Sequence, residues 1–168
     1  MSLIEQDEQQ ALFTRAKKRA MYLLGSKDYS PKAMYDKLLN NYPPEICRKA
    51  VDYLCEYGYL DEERYAAKLA EYLVCIKKHG LYRARQEMAQ KGVSREVAEN
   101  ALAEYSKEDF REELAELIRK KYGEKLDDPA DLKRTMAALA RRGYGYEDIK
   151  AAISRVRSDA LDELQWEE

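Results

Sequence analysis

The sequence contains a helical pattern that recurs at a fixed distance, and this repeat limits the folds available to the chain. Asn41, Gly92 and Gly143 stand 51 residues apart at three predicted turns. Residues of similar type follow these turns at five matching offsets, which are Tyr42/Val93/Tyr144, Glu45/Glu96/Glu147, Ala50/Ala101/Ala152, Val51/Leu102/Ile153 and Leu54/Tyr105/Val156. This agreement predicts a triplicated helical unit.

The composition favours an all-α fold. Val, Ile and Thr are scarce, and few stretches alternate polar and apolar residues with period two. Hydrophobic residues make up 45% of the chain, which is enough for a core. The formal net charge of −2 shows no basic excess, so the overall charge does not indicate nucleic-acid binding. No apolar run is long enough for a bilayer and no signal peptide precedes the first helix, so we expect a cytoplasmic protein without membrane contact.

Glycines and prolines divide the pattern into nine helices. All seven glycines fall at predicted helix ends or turns and all four prolines at helix starts, where they cost least. We place three-helix repeats at 11–58, 59–105 and 106–157, followed by an acidic C-terminal tail at 158–168. A unit of about 50 residues buries little surface alone, so we expect the repeats to stack in an elongated, curved array. Such a surface suits a macromolecular partner better than a small substrate.

Several local features are predicted in detail. The first helix is expected from about Leu12 to Leu24, with Gly25 in the left-handed conformation that ends many helices. Predicted N-caps are Ser30, Asp61, Ser106 and Asp128. The first helix of repeat 2 is expected to bury one apolar stripe, formed by Tyr65, Leu69, Tyr72, Leu73 and Ile76. Tyr105 is also expected in the core.

The sequence does not contain a recognisable catalytic or metal site. His79 is the only histidine and is predicted to cap a helix end, so a zinc ligand set is lacking. No glycine-rich phosphate loop or nucleophile elbow is visible. We therefore expect no enzyme activity and no cofactor. Cys47, Cys55 and Cys75 are interpreted as reduced, buried thiols.

Basic residues cluster locally despite the balanced net charge. Between Lys77 and Lys91, five Lys or Arg residues stand against the single carboxylate of Glu87. The candidate partner-binding residues are Lys77, Lys78, Arg83, Arg85, Lys91, Arg134, Arg141 and Arg142. These could form an ordinary solvated surface, or a basic stripe that attracts DNA phosphates or an acidic protein groove. Tyr82 and Tyr146 are candidate exposed anchors for an interface.

Three motifs in order resemble a known family. Residues 58–66 read Gly-Tyr-Leu-Asp-Glu-Glu-Arg-Tyr-Ala, followed by Gly80 with Arg83 and then by Lys91-Gly92-Val93. This order is similar to that of the RecX family of bacterial RecA regulators, over roughly Ala11 to Arg157. The family pattern usually has Asp-Asp and Phe where this chain has Asp61-Glu62 and Tyr65.

The resemblance implies a non-enzymatic, cytoplasmic protein of tandem three-helix repeats. Members of the family bind in the groove of the RecA filament on single-stranded DNA and typically inhibit strand exchange, ATPase and co-protease activity, which tempers the SOS response. Arg83, Arg85 and Lys91, which align with the family motif, are the favoured contacts. Asp61 and Gly92 are expected to be structural. A monomer is expected, and weak direct binding to single- or double-stranded DNA is left open.

Two other functions remain as alternatives. A helix-turn-helix module would bind duplex DNA with a steep salt dependence and without RecA. A generic helical-repeat scaffold would bind peptides in an apolar groove. Whether the effect on RecA is inhibition or activation, and which RecA residues are touched, does not follow from the sequence.

Overall fold

The chain folds into α-helices joined by short turns. The computed structural model describes residues 1–165, with side chains as far as residue 160, and this part contains no strand. The helices are α1 (Leu3–Leu24), α2 (Pro31–Leu38), α3 (Pro44–Glu56), α4 (Glu62–Glu71), α5 (Leu81–Gln90), α6 (Arg95–Leu102), α7 (Lys107–Leu117), α8 (Pro129–Arg141) and α9 (Tyr146–Gln165). The predicted all-α class is confirmed. None of the described helices has the length and apolar character needed to cross a membrane.

Two helices end in a wider π-helical turn. The segment π1 (Tyr72–Ile76) continues α4, and π2 (Ile118–Tyr122) continues α7 and leads into a 3₁₀ turn, Gly123–Lys125. These helices are the first of the second and third predicted repeats, so the irregularity occurs at the same place in each.

The chain divides into two compact units. Unit 1 contains Met1–Lys68 and Ala89–Val97, and unit 2 contains Leu69–Met88 and the chain from Ala98 onward. The core of unit 1 lies among α1, α2 and α3 and consists of Ala16, Ala20, Leu23, Met34, Leu38, Ile46, Cys47, Ala50, Val51, Leu54 and Leu60. The core of unit 2 around α7, α8 and α9 consists of Leu114, Ala115, Leu117, Ile118, Leu126, Leu139, Tyr144, Ile149, Ala152, Ile153 and Val156.

The predicted N-caps are confirmed. Ser30 accepts a hydrogen bond from the backbone of Ala33 at 3.1 Å, and Asp61 accepts one from Arg64 at 2.9 Å. Ser106 and Asp128 cap their helices in the same way. Each cap accepts a backbone N–H that has no partner within its helix.

The predicted boundaries of α1 are wrong at its start and at Gly25. The helix begins at Leu3, where Ser2 and Glu5 form a capping box. Because the early residues bury nothing, the apolar pattern gave no sign of this extension. Gly25 has a φ of −66°, so it is not left-handed. At the other end of the chain, α9 continues through the first part of the predicted tail to Gln165, and residues 166–168 lie outside the described range.

The stripe predicted along α4 and π1 is confirmed at Leu73 but is otherwise wrong in phase. The buried positions are Ala66, Ala70, Leu73 and Val74. Tyr65 and Leu69 are half-buried beside them, whereas Tyr72 is 45% and Ile76 69% exposed. The buried face is one residue further along, on small residues that a search for large apolar side chains passes over. Ile76 lies in π1, where the wider turn departs from the 3.6-residue period.

The cysteine prediction holds for one thiol of the three. All three thiols are free, but only Cys47 is buried, while Cys75 is half-buried and Cys55 is exposed. Tyr105, expected in the core, is half-buried.

Candidate partner-binding surface

Within unit 2, the loop between π1 and α5 packs on the turn between α8 and α9. The backbone N–H of Gly80 donates to the carbonyl of Arg142 at 2.8 Å. The Arg142 guanidinium donates in turn to the carbonyl of Lys77 at 2.8 Å. The Tyr144 hydroxyl donates to the carbonyl of Lys78 at 2.9 Å, and burial raises the pKa of this phenol. We call this contact the loop–turn junction.

Two glycines allow the backbones to approach at this junction. A Cβ on Gly80 would lie 2.7 Å from the backbone nitrogen of Tyr144. A Cβ on Gly143 would lie 2.5 Å from the Cβ of Arg83, and Gly143 has a φ of 96°, which side chains disfavour. Packing therefore requires glycine at both positions, and at Gly143 the backbone conformation requires it as well.

Lys78 is held inside unit 2 by two carboxylates of α7. Its ammonium group pairs with Glu113, and with Glu116 at 3.1 Å, and only 17% of the side chain is exposed. Burial alone would lower the pKa of Lys78, but its hydrogen bonds to Glu113 and Glu116 outweigh burial and raise it. Lys78 is also the only non-glycine residue of the described chain with a positive φ, at 54°. The charge of Lys78 is held in these two ion pairs within unit 2.

Unit 1 contains a related contact. Ser30 precedes α2 and is fully buried, and its hydroxyl donates to the carbonyl of Lys91 at 2.8 Å. Lys91 is followed by Gly92, whose φ is 84° and whose Cβ, if present, would lie 2.9 Å from the Ser30 oxygen. Gly92 and Gly143 are the two glycines at the repeat turns. Each lies against the residue that precedes the second helix of a repeat, which is Ser30 for Gly92 and Gly80 for Gly143. Asn41, their counterpart in repeat 1, lacks a positive φ.

Arg83 and Arg85 are paired with glutamates. Arg83 contacts Glu87 on the same helix at 3.2 Å and also donates to the carbonyl of Arg141 at 3.3 Å. Arg85 makes a two-pronged pair with Glu99, at 2.6 Å and 3.1 Å. Both side chains remain nearly half exposed. Such exposed pairs are weak and can be exchanged for a partner's carboxylate or phosphate.

The other candidate cations are more exposed. Lys77, Lys91, Arg134 and Arg141 are exposed, and Arg142 is half-buried in the loop–turn junction. Arg134 pairs with Asp131 at 3.4 Å but keeps 81% of its side chain exposed. The structure thus separates the eight candidates into residues that hold the junction, chiefly Lys78 and Arg142, and residues with accessible charge.

Several residues of the junction were not identified from the sequence. Glu113, Glu116 and Tyr144 lie 35, 38 and 66 positions from Lys78. Since only the fold brings them together, no local spacing could have shown the contact. The expected exposure of Tyr82 and Tyr146 is confirmed, at 68% and 62%.

His79 lies in the same loop and is half-buried. Its backbone N–H donates to the carbonyl of Leu73, the last turn of the preceding helix, at 2.9 Å. Its ring nitrogen Nδ1 is buried and has no hydrogen-bond partner among the residues that the structure describes. Burial lowers the pKa of this imidazole, and the neighbouring Arg83 lowers it further.

Comparison with known proteins shows which family this chain resembles. Residues 61–102 match the model for the second three-helix domain of RecX, and residues 107–153 match the model for the third. Regulatory protein RecX of Vibrio parahaemolyticus is 33% identical over 150 residues, which cover 88% of this chain and 95% of that protein. Regulatory protein RecX of Streptococcus sanguinis is 26% identical over 172 residues, covering 99% of this chain and 67% of that protein.

Solved structures agree on the fold. The crystal structure of RecX from Lactobacillus salivarius superposes with a TM-score of 0.79 at 17% sequence identity, over 88% of this chain and 98% of that one. A second crystal structure of a regulatory protein RecX gives a TM-score of 0.75 at 19% identity. The predicted organisation in tandem three-helix repeats is therefore confirmed, and the chain belongs to the RecX family.

Proposed function

We propose that this protein is a non-enzymatic regulator that binds the helical filament formed by RecA on single-stranded DNA and inhibits RecA activity. The observation that carries the proposal is the 33% identity to a regulatory protein RecX over nearly the whole length of that relative. We propose a cytoplasmic location, where RecA acts, and a monomeric state.

Accessible cations in both units support this proposal. Lys91 belongs to unit 1, whereas Lys77, Arg85, Arg134 and Arg141 belong to unit 2. Each can meet an acidic side chain of a filament subunit or a DNA phosphate. Single contacts of this kind are weak, but contacts to several subunits of one polymer add up because later contacts form at high effective concentration.

Lys78, Arg83 and Arg142 serve this function mainly by holding the loop–turn junction. Their charged groups are already bound to Glu113, to the carbonyl of Arg141 and to the carbonyl of Lys77. We also propose that residues 11–58, 59–105 and 106–157 are the three functional modules, with residues 158–168 as an acidic tail.

The test is the DNA-dependent ATPase of RecA. Increasing amounts of the purified protein are added to filaments assembled on a long single strand, up to several-fold excess over RecA subunits. We expect a saturable fall in ATP hydrolysis. An unchanged rate at several-fold excess would overturn the proposal, and a faster rate would reverse the sign of the regulation.

A further inference from the structure

A second basic surface lies outside the candidate residues discussed above. It is formed by π2 and the 3₁₀ turn that follows, and we call it the π2 surface. Within seven residues it contains four cations, Arg119, Lys120, Lys121 and Lys125, against one carboxylate, Glu124. All four cationic residues are exposed.

Two of these cations lie close to an aromatic ring. The ammonium groups of Lys121 and Lys125 lie 5.7 Å and 6.0 Å from the centroid of the Tyr122 ring. Neither lysine has an ion-pair partner in the part of the chain that the structure describes. A ring flanked by free cations offers a base a surface for stacking and offers the adjoining phosphates a positive charge.

The other π-helical turn of unit 2 also has a lysine near a tyrosine ring, although that tyrosine starts the turn instead of ending it. Tyr72, the first residue of π1, has the ammonium group of Lys77 at 5.7 Å from its ring centroid. π-helical turns often occur at functional sites. The two π-helical turns themselves occur at the same place in successive repeats, which favours a function over chance.

One carboxylate near the end of α9 covers part of the π2 surface. Asp159 pairs with Arg119, and each side chain is 45% exposed. Arg157, two residues earlier, donates to the carbonyl of Leu126, just beyond the 3₁₀ turn. From Ser158 onward the sequence has five carboxylates, Asp159, Asp162, Glu163, Glu167 and Glu168, and no basic residue.

This cover is easily displaced. An ion pair exposed on both sides contributes little and is screened by salt. A polyanion with several phosphates can therefore replace the carboxylate of Asp159 at Arg119 while it also engages Lys121 and Lys125.

We propose that the π2 surface binds single-stranded nucleic acid, through phosphates at Arg119, Lys121 and Lys125 and a base at Tyr122, and that the acidic end of α9 competes for this surface. An aromatic ring beside the cations suits a base with its phosphates, whereas an acidic protein would need only the charge. The interaction does not require RecA, so it is separate from the function proposed above.

The competition is tested by direct binding in the absence of RecA. Fluorescence anisotropy of a labelled oligothymidylate is measured with the wild type, Asp159→Asn, and a chain ending at Arg157. We expect Asp159→Asn to tighten binding about threefold to fivefold, and the shortened chain to tighten it further. The matched control is Glu147→Gln, which removes the same charge from the same helix. The Glu147 side chain is 85% exposed and pairs only with Lys150 among the described residues. The control should bind like the wild type.

The site itself is tested in the Asp159→Asn background. Lys121→Gln with Lys125→Gln should abolish the gain and reduce the slope of log affinity against log salt by about 1.4, at about 0.7 for each single-strand phosphate contact. Tyr122→Leu should weaken binding. The proposal is wrong if Asp159→Asn binds no tighter than Glu147→Gln, or if the lysine variant keeps the gain. Polyglutamate and unlabelled oligothymidylate are then compared as competitors at equal total charge. If polyglutamate displaces the labelled oligothymidylate equally well, the site takes acidic protein and the assignment to nucleic acid is overturned.

Discussion

At the scale of single residues, Gly143 carries two constraints that can be separated. It combines a φ of 96° with a backbone approach that leaves no room for a Cβ against Arg83. Gly58 has a similar φ of 77°, but nothing lies within 4 Å of the position that its Cβ would take. The two glycines therefore form a matched pair.

Gly143→Ala should destabilise the protein by about 2–4 kcal/mol, because left-handed strain and overpacking add. Gly58→Ala should cost about 1–2 kcal/mol, from the strain alone. Urea denaturation at neutral pH measures both. Equal losses would show that the close approach at Arg83 contributes nothing to stability.

His79 gives the loop–turn junction a dependence on pH. The charged groups around it are Arg83, Arg142 and Lys77, which lower its pKa, and Glu87, which raises it. Burial, the largest effect, also lowers the pKa from the usual 6.5. Between pH 6.5 and its folded pKa, the unfolded chain therefore binds more protons than the folded one.

We expect the free energy of unfolding to fall as the pH decreases from 7.5 to 5.5. Because the chain has one histidine, His79→Gln should flatten this part of the profile. Denaturant unfolding at several pH values gives the profile, and the imidazole proton signals in NMR give the titration directly. A stability that is independent of pH in this range, or a variant as sensitive as the wild type, would contradict the assignment.

At the scale of secondary-structure elements, the start of α2 is fixed by one hydroxyl with two roles. Ser30 caps α2 through Ala33 and also donates to the carbonyl of Lys91. Ser106 caps α7 through Asp109 at an exposed site and has no distant partner in the described part of the chain. The comparison of the two caps isolates the tertiary hydrogen bond.

Ser30→Ala should cost about 2–3 kcal/mol, because it removes a cap and leaves the carbonyl of Lys91 without its donor. Ser106→Ala should cost about 1 kcal/mol for the cap alone. Thermal and urea unfolding provide the measurement. If Ser30→Ala proved as mild as Ser106→Ala, the hydrogen bond to Lys91 would not stabilise unit 1.

At the scale of the whole molecule, the distribution of charge matters more than its total. The net charge is −2, yet exposed cations occur in both units. Lys91 has no ion-pair partner among the described residues, and Arg134 is paired only with a nearby residue of its own helix. Replacing these charges should therefore leave the fold intact.

Reversal of both charges, by Lys91→Glu with Arg134→Glu, should raise the protein concentration needed to inhibit the RecA ATPase by about tenfold, since each exposed charge contributes up to roughly 1 kcal/mol. The melting temperature should change little. Lys18→Glu, a reversal at an exposed cation of α1 outside the candidate set, is the control. Equal effects of the double variant and the control would exclude a specific role for Lys91 and Arg134.

The repeat, the helical class and most helix starts could be predicted from the sequence, because these depend on local chemistry. Ser30, Asp61, Ser106 and Asp128 cap helices through backbone groups three residues away, so their role is visible in any short window. The apolar period is a weaker guide, because it follows only the large apolar side chains. It failed on α4, where the buried side is lined by alanines and π1 changes the period.

Which cations are accessible was decided only by the tertiary structure. Lys77 and Lys78 are adjacent and chemically alike, but one is exposed while the other is held by Glu113 and Glu116 of a later helix. The junction that Gly80 and Gly143 form is equally invisible in sequence, since it joins residues 63 positions apart. Local spacing determines where a helix begins and which of its residues share one face. Burial and charge pairing depend instead on which distant residues the fold brings within contact distance.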